Sequence, residues 1–452
     1  MSNWQKVKIG DFLKRIKRPI KLEKDKNYKL VTIKMHHDGI VLREEKQGSL
    51  IKSNMYEVHK GDFILSGIDA RNGAFGIIPE ALDKAIVTND FWYFELDENI
   101  VNKYFFLELT ATSWFDDICK KGSDGTTQRI RLQKDKFFNQ EIVLPPLKEQ
   151  IIFIKKFKQI KSTKEDLESE TSTQQSLLKQ LKQTILQEAI EGKLTEKWRA
   201  KNPDIGTAKE LLEQIKTEKE QLVKDKKIKA SKPLAPINED EIPFDIPSAW
   251  EWCRFGKTIA WFSDYHANGS YKILKENVSL LENKDYAIML RTTNFHEKNK
   301  NNFLYIDEHA YNFLSKTKLY PEDIIMNKIA DPGRVFFVED LGMPMSLAMN
   351  LFLLRFNNKY VIPKYVYYYL LSNYEYIFSF AAGSSTLTIT KDAVNELLFT
   401  LPPLEEQKEI VATIEKLFAI CDELEGEINQ NKTTVQTIMA TLLKEAFGDE
   451  NV

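Results

Sequence analysis

The chain has 452 residues, 42% of them hydrophobic, and its 64 lysine and arginine residues nearly balance its 66 aspartate and glutamate residues. This length predicts two or three domains, and the formal net charge of −2 argues against a protein that wraps nucleic acid through overall positive charge. The sequence shows no long apolar run, no export signal near its start and no paired cysteines, which excludes a membrane protein, a disulfide framework and a cysteine-based zinc site, and predicts a cytoplasmic location.

Residues 1–143 are predicted to form the first of two mixed α+β globules. Apolar alternation predicts short strands followed by a helix, at 29–34, 62–65, 76–78, 91–95 and 103–109. In one loop, Arg71 and Asn72 carry side chains suited to guanine and adenine edges, although the same segment is also typical of an ordinary turn. A later loop offers side chains that can contact phosphates or bases, namely Thr126, Thr127, Arg129 and Arg131.

Residues 144–198 are predicted to form a long helix, and residues 199–249 a linker. Pro145 and Pro146 suit the first turn of a helix but not its interior, so the helix is expected to begin near Pro146. Within the linker, 211–232 reads as a charged surface helix with a basic tail that either contacts phosphate or is simply solvated. A proline-rich connector then leads to Trp250.

Residues 250–400 are predicted to form the second globule, and 401–452 a second long helix. Strands and a helix are expected in the same order as before, at 286–291, 323–326, 335–338, 351–356 and 363–372. The loops between them again carry Gly, Arg, Asn and Thr and cover 292–302, 327–334 and 383–390.

The two halves of the chain are related by an internal repeat. Leu-Pro-Pro-Leu-Lys-Glu-Gln at 144–150 recurs as Leu-Pro-Pro-Leu-Glu-Glu-Gln at 401–407, an offset of 257 (401 − 144). The offset persists without a gap over about 45 residues, which indicates duplication of a globule and its helix.

The repeated helices carry a heptad seam, in which apolar residues of the second copy alternate at steps of four and three from Ile410 to Leu442. The first copy has the same seam with polar residues near its middle. Because two copies related by a pseudo-twofold axis run in opposite directions, the helices are predicted to pack antiparallel and to hold the globules roughly 65 Å apart. A lone seam of this kind is also typical of a dimerisation coiled coil.

Catalytic motifs are missing from the sequence. It contains no Asn/Asp-Pro-Pro-Tyr/Phe tetrad for amino-group methylation and no phosphate-binding loop, and its six histidines show no ligand spacing. The chain is therefore predicted to be non-catalytic, with no metal site.

The sequence resembles the DNA specificity (S) subunit of type I restriction-modification systems over essentially its whole length. The resemblance rests on the twice-repeated Leu-Pro-Pro-Leu-x-Glu-Gln, on Ala-Ile-Glu-Gly-Lys-Leu-Thr at 189–195, and on Glu-Ile-Pro at 241–243 running into Trp-Glu-Trp at 250–252. The first globule adds Lys-Met-His at 34–36 and Ile-Asp-Ala-Arg-Asn-Gly-Ala-Phe-Gly at 68–76, which are similar to one class of recognition domain.

The resemblance implies two target recognition domains, each of which reads half of an interrupted DNA sequence, separated by helices that set the spacer. It also implies docking of two DNA adenine methyltransferase (M) subunits on the helices and recruitment of ATP-dependent restriction (R) subunits, with no cofactor in this chain. The second globule keeps Asp331, Gly333 and Arg334 but lacks the longer string, so its half-site should differ. A coiled-coil scaffold that binds proteins without reading DNA is the alternative.

Candidate residues follow from the loops and the resemblance together. The DNA-binding candidates of the first globule are Lys34, His36, Arg71, Asn72, Thr126, Thr127, Arg129 and Arg131. Those of the second globule are Arg291, Thr292, Asn294, Lys328, Arg334, Ser384, Ser385 and Lys391. The partner-docking candidates lie at the helix starts and are Leu147, Gln150, Leu404 and Gln407.

Overall fold

A computed structural model describes residues 4–124, 130–228, 230, 232–295 and 301–447. The chain forms two compact units, Met1–Thr173 with Ile428–Val452, and Gln174–Glu427. Among the described residues, no helix combines the length and the apolar character that crossing a bilayer requires.

The first globule has thirteen strands in its described part, and four short helices. The strands are β1 Gln5–Lys8, β2 Leu13–Ile16, β3 Pro19–Ile20, β4 Asn27–Ile33, β5 Ile40–Gln47, β6 Met55–Glu57, β7 Phe63–Ser66, β8 Phe75–Ile77, β9 Ile86–Val87, β10 Phe91–Leu96, β11 Ser123–Asp124, β12 Arg131–Leu132 and β13 Glu141–Leu144. The helices are α1 Ile9–Phe12, α2 Lys103–Thr110, α3 Ser113–Lys121 and α4 Lys134–Phe138. The strands predicted at 29–34, 62–65, 76–78 and 91–95 are confirmed as β4, β7, β8 and β10.

Two sheets form the body of this globule. One has the strand order β2-β10-β7-β8 and the other β3-β6-β9-β4-β5. A separate antiparallel pair, β1 with β13, joins the start of the globule to its end. The loop between β7 and β8 therefore leaves the edge of the first sheet, and the turn between β4 and β5 leaves the edge of the second.

An aromatic core lies beneath the β7–β8 loop. Phe63 and Phe75, on the two flanking strands, are buried together with Phe106 of α2 and Phe115 of α3. The ring centroids of Phe63 and Phe106 lie 5.0 Å apart, and those of Phe75 and Phe115 lie 5.4 Å apart in an edge-to-face arrangement. Such pairs stabilise a core beyond their buried area, so both ends of the loop are firmly held.

The second globule repeats this plan. Its strands are β14 Glu251–Arg254, β15 Trp261–Asp264, β16 Ala287–Leu290, β17 Leu304–Ile306, β18 Lys318–Leu319, β19 Ile324–Asn327, β20 Val335–Phe337, β21 Met345–Leu347, β22 Leu351–Arg355 and β23 Leu398–Leu401. The order β15-β22-β19-β20 matches β2-β10-β7-β8, and β14 pairs with β23 as β1 pairs with β13. The predicted duplication thus extends to the strand order of the sheets.

Two helices of 44 residues each continue from the globules, α5 Leu147–Ile190 and α13 Leu404–Phe447. The remaining helices are α6 Glu196–Lys201, α7 Ala208–Lys224, α8 Tyr271–Asn277, α9 Glu308–Phe313, α10 Pro363–Ser372, α11 Tyr374–Phe378 and α12 Lys391–Glu396. Both long helices begin directly after the paired prolines, as predicted.

The long helices are antiparallel within the second unit. On α5, Lys182 pairs with Asp422 and Glu425 of α13, at 2.7 and 3.1 Å. Farther along the chain, after the end of α5, Thr195 donates a hydrogen bond to Glu406 near the start of α13. Later residues on one helix therefore meet earlier residues on the other, which confirms the predicted direction.

The predicted seam is buried only in part. Ile410 and Ile414 are fully buried and Cys421 is 2% exposed, but Leu424 is 42% exposed and Leu181 46% exposed. The seam is thus buried near the start of α13 and leaves apolar side chains exposed farther along.

The linker helix α7 packs on the second globule and is not a free charged arm. Ile215 is 6% exposed, and the ammonium group of Lys219 donates to the carbonyls of Gly256 and Lys257, at 3.1 and 2.8 Å. Burial lowers the pKa of Lys219 to about 8. The linker and the second globule therefore behave as one structural element.

A buried carboxylate lies in the first turn of α13. Glu406 is fully buried and accepts hydrogen bonds from Thr195 Oγ1 (2.7 Å), Arg199 Nη1 (2.5 Å) and Trp250 Nε1 (2.8 Å). Three donors, one of which is the cationic Arg199, offset the loss of hydration that burial imposes on the carboxylate.

Replacing Arg199 with Met should destabilise the second unit by about 3 kcal/mol, because it leaves the Glu406 carboxylate buried without its cation. The midpoint of urea unfolding measures this change. Lys182→Met is the matched control, since the side chain of Asp422 is 68% exposed and that of Glu425 51% exposed, and it should cost less than about 1 kcal/mol. A larger loss for Lys182→Met than for Arg199→Met would contradict this assignment.

Candidate nucleic-acid interface

The Arg71 loop, residues 67–74, is a tight turn that presents two polar side chains. Ser66 Oγ and Asp69 bond to each other at its base, residues 70–72 form a single 3₁₀ turn, and Gly73 has a φ of +77°, which favours glycine. Asn72 is exposed and Arg71 partly so. Neither side chain makes a hydrogen bond or ion pair with the part of the chain that the structure describes, so both remain available to a ligand.

The turn between β4 and β5 lies against this loop. The backbone N–H of His36 donates to Asn72 O (2.8 Å), and that of His37 to Gly73 O (3.0 Å). The side chains of Lys34 and His36 are exposed. The structure thus brings four predicted residues of the first globule to one surface.

Arg131 approaches the same loop from the other side. The N–H of Leu132, its neighbour on β12, donates to Gly67 O (2.8 Å), and Gly67 N–H donates to Asp90 O (2.8 Å). The Arg131 guanidinium pairs with Asp90 at 2.9 Å but is 54% exposed. The other candidates of this region, Thr126, Thr127 and Arg129, lie outside the described residues.

The Arg334 loop, residues 328–334, is the counterpart in the second globule. Lys328 N–H donates to Asn350 O (2.9 Å), and Ile389 N–H donates to Lys328 O (3.0 Å). These bonds repeat the pattern at Gly67. In each globule, three chain segments are therefore hydrogen-bonded at one residue, Gly67 or Lys328, and we call this arrangement the backbone junction. Gly333, with a φ of +89°, stands where Gly73 stands in the first loop.

This junction brings exposed side chains together in the second globule as well. Arg334 pairs with Asp331 at 3.2 Å and remains 52% exposed. The segment joined to Lys328 through Ile389 also contains Ser384 and Ser385, both exposed. Arg334 and the two serines therefore remain candidates.

Two predicted lysines of the second globule point inward. Lys328 pairs with Asp264 at 3.4 Å, and Lys391 donates to Phe262 O at 3.2 Å. Burial lowers the pKa of Lys391, with Lys328 acting in the same direction and Asp264 against it. Both ammonium groups are thus already held by the protein, which makes them weaker phosphate candidates than Arg334.

The predicted contact by Asn294 is corrected by the structure. Asn294 is 4% exposed, accepts a hydrogen bond from Arg291 N (3.0 Å) and donates one to Asn302 O (2.9 Å). The Arg291 guanidinium also donates to Asn302 O (2.9 Å). Asn294 therefore shapes its own loop, while Arg291 and Thr292 are partly exposed.

The predicted docking role of the two glutamines is corrected as well. Gln150 is fully buried; it accepts from Asn102 N (2.8 Å) and donates to Ile100 O and Pro145 O. Gln407 makes the same three bonds, with Ile362 N, Tyr360 O and Pro402 O. Each glutamine therefore joins its long helix to its own globule by hydrogen bonds. The other two docking candidates, Leu147 and Leu404, are partly exposed.

Sequence comparison identifies the family. Residues 1–176 and 263–431, more than half of the chain, match the family described as the type I restriction modification DNA specificity domain. The chain belongs to this family. The match confirms the predicted family.

Named relatives of this specificity domain occur in Escherichia coli. The EcoEI specificity subunit is 30% identical over 288 residues, which is 61% of this chain and 46% of the relative. The EcoAI specificity subunit is 27% identical over 399 residues, which is 77% of this chain and 65% of the relative. The aligned regions thus span about half to two thirds of these relatives, both of which are named specificity subunits of type I restriction enzymes.

Solved structures support the fold of this specificity domain. The HsdS subunit from Thermoanaerobacter tengcongensis matches with a TM-score of 0.63 at 16% identity, over 99% of this chain and 97% of that one. A second structure, from work on complex assembly and conformational transition of the type I R-M system, matches with a TM-score of 0.66 at 16% identity, over 99% and 98%. Both agree with the predicted mixed α+β architecture.

Three residues near the loops of this specificity domain were not among the sequence candidates. The His37 ring packs beside Gly73 of the Arg71 loop, Asp116 faces that ring, and Tyr374 donates a hydrogen bond to Asp331 in the Arg334 loop. Burial raises the pKa of Tyr374 to about 12. Of these three residues, only His37 has a visible signal in the sequence, namely its position next to His36 between two predicted strands.

Arg131→Gln and Arg334→Gln should each reduce the slope of log affinity against log salt concentration by about 0.9 if each guanidinium neutralises one DNA phosphate. Binding to duplex DNA at a series of salt concentrations measures the slope. Lys391→Met is the control, because its ammonium is already bonded to Phe262 O and its loss should leave the slope unchanged. A slope change for Lys391→Met alone would reverse the assignment.

Proposed function

We propose that the chain is the sequence-specificity subunit of a type I restriction-modification complex, and that each globule reads one half of an interrupted site in double-stranded DNA. The observation that carries the proposal is the repeated backbone junction at Gly67 and Lys328, which supports an exposed polar loop in both globules. The proposed recognition domains are 1–143 and 250–400, bounds supported by the pairing of β1 with β13 and of β14 with β23.

The two half-sites should differ in sequence. The first loop offers Arg71 and Asn72, whose side chains match guanine and adenine edges in the major groove. The second offers Arg334 beside Asp331, with Ser384 and Ser385 on the adjoining segment. Different donors and acceptors on the same backbone support different base preferences.

The proposed helical regions 144–198 and 401–452 act as a spacer in this role. A helix of 44 residues is roughly 65 Å long at 1.5 Å per residue. Because Gln150 and Gln407 bond each helix to its own globule, a change in helix length should be transmitted to the distance between the half-sites.

Partner subunits would supply the chemistry. We propose that two DNA adenine methyltransferase subunits dock on the long helices and that ATP-dependent restriction subunits join the complex, which would work in the cytoplasm without a cofactor in this chain. Exposed apolar residues at the start of α5 support such docking: Ile151 is 51% exposed and Ile152 54% exposed, and Leu147 and Leu404 are partly exposed. Apolar surface of this kind is typical of a protein interface.

Exchange of one globule tests the proposal. Residues 207–400 would be replaced by the matching region of another specificity subunit, with α7 included because Lys219 bonds it to the globule. Methylation mapping of DNA modified by the assembled complex should then show a change in one half-site only, and exchange of 1–143 should change the other. Alteration of both halves by either exchange contradicts bipartite reading, and DNA without any methylated motif favours the scaffold alternative.

Arg71→Ala should weaken binding by about 1–3 kcal/mol and relax one base position of the first half-site, if Arg71 reads a guanine edge. Competition binding with duplexes changed at single positions measures both effects. Arg43→Ala is a matched control, because Arg43 is an exposed arginine of the same globule that pairs with Glu44. Equal weakening on all duplexes would make Arg71 a phosphate contact instead.

A further inference from the structure

The turn that supports the Arg71 loop has an unusual backbone. His36 and His37 have φ angles of 60° and 63°, a region that residues with a side chain rarely adopt. Strain of this kind persists only where surrounding contacts compensate for it. Here the compensation comes from the loop, because both backbone N–H groups donate to loop carbonyls, at Asn72 O and Gly73 O.

The His37 ring fills the space beside the loop. A Cβ at Gly73 would lie 2.6 Å from the ring, and the ring is nearly parallel to that of Phe75, with the centroids 6.3 Å apart. The side chain therefore packs against the last residue of the turn and the first residue of β8. Arg71 lies two residues before Gly73, so the His37 ring packs against the short turn that carries the proposed base-reading side chain.

A carboxylate from α3 faces the same ring. Asp116 Oδ1 lies 3.9 Å from His37 Nε2, is buried, and has no hydrogen-bond partner among the described residues. Burial lowers the pKa of His37, whereas Asp116 and Asp38 raise it and His36 lowers it. The Asp116 side chain as a whole is 25% exposed, but its Oδ1 atom is buried, and a hydrogen bond from the imidazole N–H would supply this atom with a donor.

The second globule holds its loop differently. The space beside Gly333 is filled by Ile377 of α11, whose Cγ2 would lie 2.6 Å from an added Cβ. Tyr374, also of α11, bonds to Asp331 within the loop. Among the described residues, the histidine and carboxylate pair therefore lies beside the loop of the first globule and not beside that of the second.

We propose that His37 and Asp116 are positioning residues that hold the Arg71 loop in its DNA-reading conformation and thereby determine the specificity of the first half-site without touching DNA. This inference rests on the proposed function. Its chemical basis is a hydrogen bond from the imidazole Nε2–H to Asp116, formed as the loop closes on a base pair.

The test uses the full chain with its cognate methyltransferase and a library of duplexes randomised across both half-sites. Sequencing of the bound fraction gives the base preference at each position. His37→Phe and Asp116→Ala should reduce the preference in the first half-site by about five- to tenfold, the effect of one lost hydrogen bond, and leave the second unchanged. His37→Gln, which keeps an N–H donor, should retain more of the preference than His37→Phe.

Two variants serve as controls. Asp117→Ala removes the exposed neighbouring carboxylate on α3, which pairs with Lys120, and should change neither half-site. Tyr374→Phe should affect the second half-site only. Loss of preference in both halves with His37→Phe, or an unchanged first half with both His37→Phe and Asp116→Ala, overturns the proposal.

A DNA-independent measurement separates this inference from the proposed function. Because the Asp116 carboxylate raises the pKa of His37, Asp116→Asn should lower the pKa of the His37 imidazole in an NMR titration of the free chain. An unchanged titration overturns the contact itself. A wild-type complex that selects no interrupted sequence, combined with the expected titration shift, refutes the proposed function and leaves the contact standing.

Discussion

A buried glutamine at the start of each long helix is the interaction on which the architecture depends. The buried amides of Gln150 and Gln407 each bond to one backbone N–H and two backbone carbonyls of their own globule. Loss of either amide would leave these groups unpaired, which is more costly than the loss of a surface contact. The repeated Leu-Pro-Pro-Leu-x-Glu-Gln sequence is thus the sequence signature of a helix joined rigidly to its globule.

The repeat made much of this fold predictable. The prolines mark the helix starts within a residue of Leu147 and Leu404, and the apolar alternation marks four strands in each globule correctly. Helix direction followed from symmetry alone. Features that depend on local covalent geometry and on hydrophobic periodicity can therefore be predicted from the sequence.

Side-chain roles were less predictable, because they depend on contacts between distant segments. Gln150 and Gln407 looked like surface residues of a motif, yet carbonyls that are about 50 residues away in sequence hold them inside. Asn294 likewise lies in a polar loop but is buried by that loop's own hydrogen bonds. His37 could not be distinguished from His36 until the packing beside Gly73 was known.

The buried carboxylate of Glu406 shows how duplicated copies can diverge in energetics while keeping the same fold. Its counterpart in the first copy, Glu149, is exposed. Trp250, Thr195 and Arg199 give the second copy a charged centre inside the protein, where the first copy keeps a solvated surface group. Identical residue types at repeated positions therefore need not contribute equally to stability.

The backbone junction beneath each loop has a consequence for how these proteins diversify. Its hydrogen bonds join main-chain atoms of Gly67 and Lys328 and involve neither Arg71 nor Arg334 through their side chains. Substitutions at such exposed tips usually change stability by no more than about 0.5 kcal/mol. Under the proposed function, point mutations at the loop tips would therefore change the recognised bases while the backbone junction stays intact.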